Sequence, residues 1–247
     1  MQERNKMIIL SIGNSFSQDS HKWLSKLAKL NGFDFETANL YIGSCSLETH
    51  YKNIEENNPF YDFEINGDPA ECKISIAEAL SLKKWDIITL QQVSGLSGIY
   101  ESYEPYLSAL VSVIKKAQPD AKIYFHQTWA YETHSTHKHF VNYENNQVKM
   151  YEAIKASSEQ VVKSLGIQLI PTGTVIQMLR ETVAEFDFKN GGISLCRDGF
   201  HLSLDYGRFA AAATWLHTLT NKNIKNEAFE NFDIGLLEKI VNVVNKL

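Results

Sequence analysis

Short runs of apolar, β-branched and aromatic residues constrain this chain more than any other feature. Met7 to Ile12 (MIILSI), Asp86 to Leu90 (DIITL) and Lys122 to His126 (KIYFH) are the clearest. Each is too short for a buried helix and lacks the polar alternation of a half-exposed strand, so each reads as a strand covered on both faces. Phe33 to Ile42 and Ile167 to Ile170 read as further strands, the second ended by Pro171. Between these runs the spacing turns helical. Asp19 to Asn31 places Trp23, Leu24, Leu27, Ala28 and Leu30 on one face, with Gly32 to stop it. Helical patterns recur at Tyr103 to Ala117, Tyr143 to Leu165, Thr174 to Ala184 and about Leu204 to Leu219, the last with Ser203 as its expected N-cap. Buried strands alternating with helices predict a parallel central sheet between two helical layers, a three-layer α/β/α domain.

The chain has 247 residues, enough for one large domain with a well-buried core. No repeat, low-complexity tract or Pro/Gly-rich linker divides it, so residues 1–247 are expected to form a single domain. The polar stretch from Glu48 to Ile76 breaks the strand-helix rhythm, and Asn66-Gly67-Asp68 within it signals a hairpin turn. It reads as an insertion near the mouth of the sheet. Tyr131 to Asn146 reads as a long loop following a strand.

Composition removes several classes of function. Lys and Arg number 24 against 29 Asp and Glu, a formal net charge of −5, and no basic block marks a nucleic-acid surface. No apolar run approaches the roughly 18 residues of a membrane helix. Cys45, Cys72 and Cys196 are too few and too scattered for a disulfide framework or a zinc site, and reduced thiols are expected. MQERNK leads into an apolar run too short for a signal peptide. The plain expectation is a cytoplasmic protein, although a periplasmic or secreted protein whose leader had been removed would read the same.

In a doubly wound sheet, reactive groups gather where the strands' carboxyl ends meet the loops. The first such end reads Gly13-Asn14-Ser15-Phe16-Ser17. A glycine lets the chain turn sharply, and a serine there lies beside the free N–H groups of the next helix, which suit a developing oxyanion. A plain turn and helix cap would use the same residues. Near the other end of the chain, Asp198-Gly199-Phe200-His201 sets an Asp three residues before a His, ahead of a helix. A tight turn would let that carboxylate orient the imidazole, leaving its other nitrogen to deprotonate a serine.

Gly13-Asn14-Ser15 and Asp198-x-x-His201 resemble the opening and closing blocks of the SGNH/GDSL hydrolases, in the same chain order. The resemblance spans nearly the whole domain. It implies a flavodoxin-like α/β/α fold and an esterase in which Ser15 is the nucleophile, His201 the general base and Asp198 its partner. It further implies an oxyanion donor at the backbone of Gly43, where a turn glycine would serve equally well. The family's G-x-N-D block is absent: the third strand runs into Leu90-Gln91-Gln92-Val93-Ser94, similar to a branch with L-Q-x-x-S. A glutamine amide carries the same donor one methylene further out, so Gln91 takes the missing asparagine's place, with Gln92 the alternate. Asn14 stands where the family has aspartate, and Ser17 is a second candidate hydroxyl.

Trp129 and Tyr131, at the same sheet edge, are candidate substrate walls, and Asn14 is a third candidate substrate-binding residue. His134, His137 and His139 lack a carboxylate or cysteine at zinc-like spacing, so no metal or other cofactor is expected. No G-x-S-x-G elbow, G-x-G-x-x-G or P-loop is present. The expected substrate is a small-molecule or carbohydrate ester, with O-acetyl groups on a carbohydrate favoured by the resemblance. A lipid esterase or thioesterase, and a non-catalytic carbohydrate-binding protein, are the rival readings.

Overall fold

The computed structural model describes residues 6–247. Residues 1–5, which open the N-terminus expected to lack a signal peptide, lie outside it. Strands β1 (Met7–Gly13), β2 (Phe35–Tyr41), β3 (Tyr61–Ile65), β4 (Asp68–Ile74), β5 (Ile87–Leu90), β6 (Lys122–His126) and β7 (Gln168–Ile170) form one sheet in the order β4-β3-β2-β1-β5-β6-β7. The five strands from β2 to β7 through β1 are parallel, while β3 and β4 join as an antiparallel hairpin at the β2 edge. The latter part of the stretch expected as an insertion therefore joins the sheet, as the hairpin its turn residues signalled. Its turn falls at Asn66-Gly67, with both residues at positive φ.

Side chains of β1 alternate between two buried clusters, Ile9 into one and Leu10 and Ile12 into the other. The second cluster is closed by helices α3 (Leu47–Glu55), α4 (Ile76–Leu82) and α5 (Tyr106–Ala117). The first takes α1 (Ser15–His21), α2 (Leu24–Leu30), α7 (Thr172–Thr182), α8 (Tyr206–Thr220) and α9 (Ile234–Val244), while α6 (Gln147–Leu165) contributes Met150 and Ile154 to it and Val161 to the other. The expected α/β/α layering is what the chain forms. Ala210 to Ala213 are completely buried in α8, and such small side chains let neighbouring helices approach closely.

Three boundaries depart from the sequence expectation, each for a local reason. The single helix expected from Asp19 to Asn31 is two, broken at Lys22–Trp23, and the first begins at Ser15 because Asn14 caps it. Helix α8 is capped by Asp205, which accepts from Tyr206 N–H, while Ser203 Oγ accepts from Gly207 N–H at 2.9 Å. Within 48–76, the residues of α3 follow the Ser46 cap and bury Leu47, His50 and Asn53.

Because β1 has β2 on one side and β5 on the other, the chain leaves it in opposite directions. A crevice opens beyond the carboxyl ends of these three strands. Gly13-Asn14-Ser15, the Gly43 loop and Gln91-Gln92-Val93 all emerge there.

Candidate active site

The turn after β1 is shaped by two constraints. A Cβ on Gly13 would overlap Ser17 Oγ, so that position demands glycine. Asn14 then closes a capping box: its Oδ1 accepts from Phe16 N–H at 3.0 Å, and Ser17 Oγ accepts from Asn14 N–H at 3.2 Å. Ser15 thereby occupies the first helical position, half-buried, with its hydroxyl facing the crevice. Ser17 is fully buried and donates to Asn39 Oδ1 at 2.7 Å, so it has no access to substrate.

Asp198 and His201 sit at the tip of a small hairpin-like loop, closed by Arg197 N–H to His201 C=O at 2.9 Å and Ser203 N–H to Leu195 C=O at 2.7 Å. Gly199, at φ +87°, makes the turn possible. Asp198 Oδ1 accepts the backbone N–H groups of Phe200 (3.2 Å) and His201 (2.8 Å), while Oδ2 meets His201 Nδ1 at 2.7 Å. Burial works to raise the Asp198 pKa, but these bonds from the His201 ring and the two backbone groups outweigh it, and the carboxyl titrates below its ordinary range. A carboxylate only accepts, so the proton on the imidazole is held at Nδ1. The opposite nitrogen, Nε2, lies 2.9 Å from Ser15 Oγ. The structure thus brings Ser15, His201 and Asp198 into one hydrogen-bonded line.

What holds that loop against α1 is a residue the sequence reading passed over. Asp19, one turn after Ser15 and completely buried, binds Arg197 Nη1 at 3.0 and 3.1 Å, Arg208 Nε at 2.8 Å and Leu202 N–H at 2.9 Å. Arg197 Nη1 also donates to Leu202 C=O. The i, i+4 spacing of Ser15 and Asp19 was the available signal, and it is visible only once the helix is known to start at Ser15. A second buried pair supports the far side: Glu132 N–H donates to Gly199 C=O at 2.7 Å, and the Glu132 carboxylate faces Arg180 at 3.4 Å.

The crevice holds about 470 Å³ and is lined by Ser15, Gly43, Ser44, Ser46, Ser94 and His201 among others, with Phe16, Val93, Leu96 and Phe200 as its apolar surface. His137, Lys138 and His139 form one wall. Burial, followed by the neighbouring His139, Lys138 and His201, lowers the His137 pKa. Among the described residues no group of three or more His, Cys, Asp or Glu side chains is placed to hold a metal ion. Gly43 lies exposed at the crevice edge.

Four expected site residues lie elsewhere than foreseen. Gln91 does not reach the crevice: its Nε2 donates to Asn14 Oδ1 at 2.6 Å and its Oε1 faces His126 Nδ1 at 2.7 Å. Gln92 is spent on Leu47 N–H, Val93 N–H and Ser102 C=O. Neither amide is free to bind an oxyanion. Trp129 and Tyr131 are completely buried. Trp129 stacks on Phe16 with ring centroids 4.1 Å apart and donates its indole N–H to Phe200 C=O at 2.7 Å. Tyr131 hydroxyl pairs with Ser94 Oγ at 2.9 Å. Both support the crevice from beneath, because the loop around His137 and Phe200 folds over them.

The fold is of the SGNH/GDSL hydrolase type. It resembles a member of the lipolytic G-D-S-L family from Veillonella parvula (TM-score 0.52, 15% identity, 87% of this chain and 100% of that one) and Axe2, an acetylxylan esterase from Geobacillus stearothermophilus (0.55, 12%, 90% and 97%). Within that class the chain belongs to the family described as Domain of unknown function (DUF4886), which it matches over residues 8–241. A crystal structure of a DUF4886 family protein from Bacteroides uniformis superposes with a TM-score of 0.90 at 37% identity, covering 98% of this chain and 94% of that one. No curated protein matches the sequence. Among the described residues no helix is long and apolar enough to cross a membrane.

Proposed function

We propose that this chain is a serine esterase that hydrolyses O-esters through an acyl-enzyme, with acetyl groups on a carbohydrate as the favoured substrate. The observation that carries the proposal is the line from Ser15 Oγ through His201 to Asp198, with links of 2.9 and 2.7 Å. In this reading Ser15 Oγ attacks the ester carbonyl while His201 Nε2 takes its proton. The resulting imidazolium is stabilised by the Asp198 carboxylate. Backbone N–H groups of Ser15 and Gly43 donate to the developing oxyanion, and His201 passes its proton to the departing alkoxide. Water, deprotonated by His201, then attacks the acyl-enzyme and releases the acid.

One observation favours a sugar ester over a long-chain lipid: Ser44, Ser46 and Ser94 line the crevice together with two further imidazoles, a surface suited to hydroxyl groups. The neighbours in fold include both an acetylxylan esterase and a member of a lipolytic family, and do not choose between the two. The test compares p-nitrophenyl acetate with p-nitrophenyl octanoate, for wild type and Ser15→Ala. The proposal expects a fall of roughly 10³-fold or more in the variant and a preference for acetate. Equal rates in the two proteins would sink the nucleophile assignment, and a preference for octanoate would redirect the substrate class to lipids.

A further inference from the structure

Asn14 occupies the position where the G-D-S block carries aspartate, and its side chain touches three separate segments. Its Oδ1 accepts Phe16 N–H at 3.0 Å and Gln91 Nε2 at 2.6 Å, and its Nδ2 donates to Cys45 C=O at 3.0 Å. Asn14 and Gln91 are both buried to 1% exposure. Cys45 is two residues beyond Gly43, so the carboxamide joins the serine turn to the loop carrying the proposed oxyanion donor.

The direction of every bond in this cluster is fixed. Phe16 N–H can only donate and the Cys45 carbonyl can only accept, which sets the orientation of the Asn14 amide. Gln91 must then offer its NH₂ to Asn14 and its oxygen to His126. That oxygen only accepts, so His126 carries its proton on Nδ1, and its Nε2 accepts from Thr172 Oγ1 at 3.1 Å. A singly protonated imidazole satisfies the cluster. Burial, with a smaller contribution from His21, lowers the His126 pKa to about 3, in agreement with that state. An aspartate at position 14 would keep both bonds at one oxygen but turn the other toward the Cys45 carbonyl, leaving two buried acceptors face to face with no proton between them.

We propose that Asn14 is a positioning residue that sets the Gly43 loop at its working distance from Ser15, and that Gln91 and His126 lock its carboxamide in the one orientation able to do so. The asparagine at 14 and the glutamine at 91 are thus a matched pair replacing the aspartate and asparagine of the more usual blocks. Gln91 acts on catalysis through Asn14, without touching the substrate.

The proposal rests on the esterase reading, and the experiment separates the two. Asn14→Asp, Asn14→Ala, Gln91→Ala and the double Asn14→Ala/Gln91→Ala are compared with wild type and Ser15→Ala on p-nitrophenyl acetate, with thermal unfolding of each. Misplacing one donor lowers kcat by about 10- to 100-fold in Asn14→Asp and Asn14→Ala, with KM and the acid limb of the pH profile unmoved. Gln91→Ala, which frees the carboxamide without removing it, loses less, and it supplies the test should Asn14→Asp fail to fold. The double variant falls no further than Asn14→Ala, because both residues act through one link. Wild-type kcat in folded Asn14→Asp, losses that multiply in the double variant, or a change confined to KM would each overturn the proposal. Undiminished activity in Ser15→Ala would instead remove the esterase reading beneath it.

Discussion

Asp19 and Arg197 lie 178 residues apart in the chain and are joined by two hydrogen bonds of 3.0 and 3.1 Å. Asp19 belongs to the helix that begins with Ser15, and Arg197 immediately precedes Asp198, so this one contact sets the two halves of the site against each other. Replacing Asp19 by Asn leaves Arg197 and Arg208 without their common carboxylate. Because both guanidinium groups retain some solvent, the cost should fall near the low end for a broken buried pair, about 3 kcal/mol. Urea denaturation of Asp19→Asn should show that loss together with a lower kcat. An unchanged midpoint would mean that the loop is held by its other contacts.

Asp198→Asn tests the direction of the proton on His201. A carboxamide at this position that keeps its oxygen on the Phe200 and His201 backbone N–H groups turns an NH₂ toward Nδ1, which drives the imidazole proton to Nε2 and away from its role as base. We expect kcat to fall by roughly 10²- to 10⁴-fold with little change in Tm. A variant within about threefold of wild type would show that His201 keeps its tautomer without Asp198.

Stability should decline as the solution becomes acidic, on account of three buried histidines. Burial lowers the pKa of His21, His50 and His126 from 6.5 to about 3, so the folded protein leaves them neutral where the unfolded chain protonates them. Their stabilisation is complete above the unfolded value and is lost as pH falls from about 6.5 toward 3, at up to roughly 1.4 kcal/mol per pH unit for each residue. Denaturant midpoints measured between pH 8 and 4 should trace this decline. A flat profile over that range would contradict neutral burial of all three.

The placement of Trp129 under the crevice makes a further prediction. Trp129→Phe keeps an aromatic ring on Phe16 but removes the indole N–H that binds Phe200 C=O. The change should cost about 1–3 kcal/mol, since it strands a carbonyl in the loop that carries Asp198 and His201, and it should leave KM for a small ester unchanged. A large rise in KM without loss of stability would restore Trp129 as a substrate wall.

Much of the architecture was legible in the sequence because it depends on local pattern. Three short apolar runs marked β1, β5 and β6 through the periodicity of their side chains, and helical spacing marked α5, α6 and α8 to within a few residues. Ser15 stood out because a glycine-led turn after the first strand is one of the few places where a serine is presented to a crevice. Asp198 and His201 stood out because their spacing is short enough for one turn to hold both. The hairpin turn at Asn66-Gly67 was legible too, but its strands' pairing with the β2 edge was not, since polar edge strands carry no pattern that names their partner.

What the sequence by itself determined, then, was which residues are candidates for the chemistry, because residue types and short spacings are written in one dimension. What the tertiary structure alone decided was how they are held. Gln91 reads as an oxyanion donor until its amide is seen bound to Asn14 and His126, and Trp129 reads as a substrate wall until it is seen beneath Phe200. Asp19 reads as an ordinary helix residue until its helix is seen to start at Ser15 and two arginines from the far end of the chain close on it. Contacts between residues so far apart depend on the packing of helices and loops around the sheet, and that packing is a property of the assembled chain rather than of any segment.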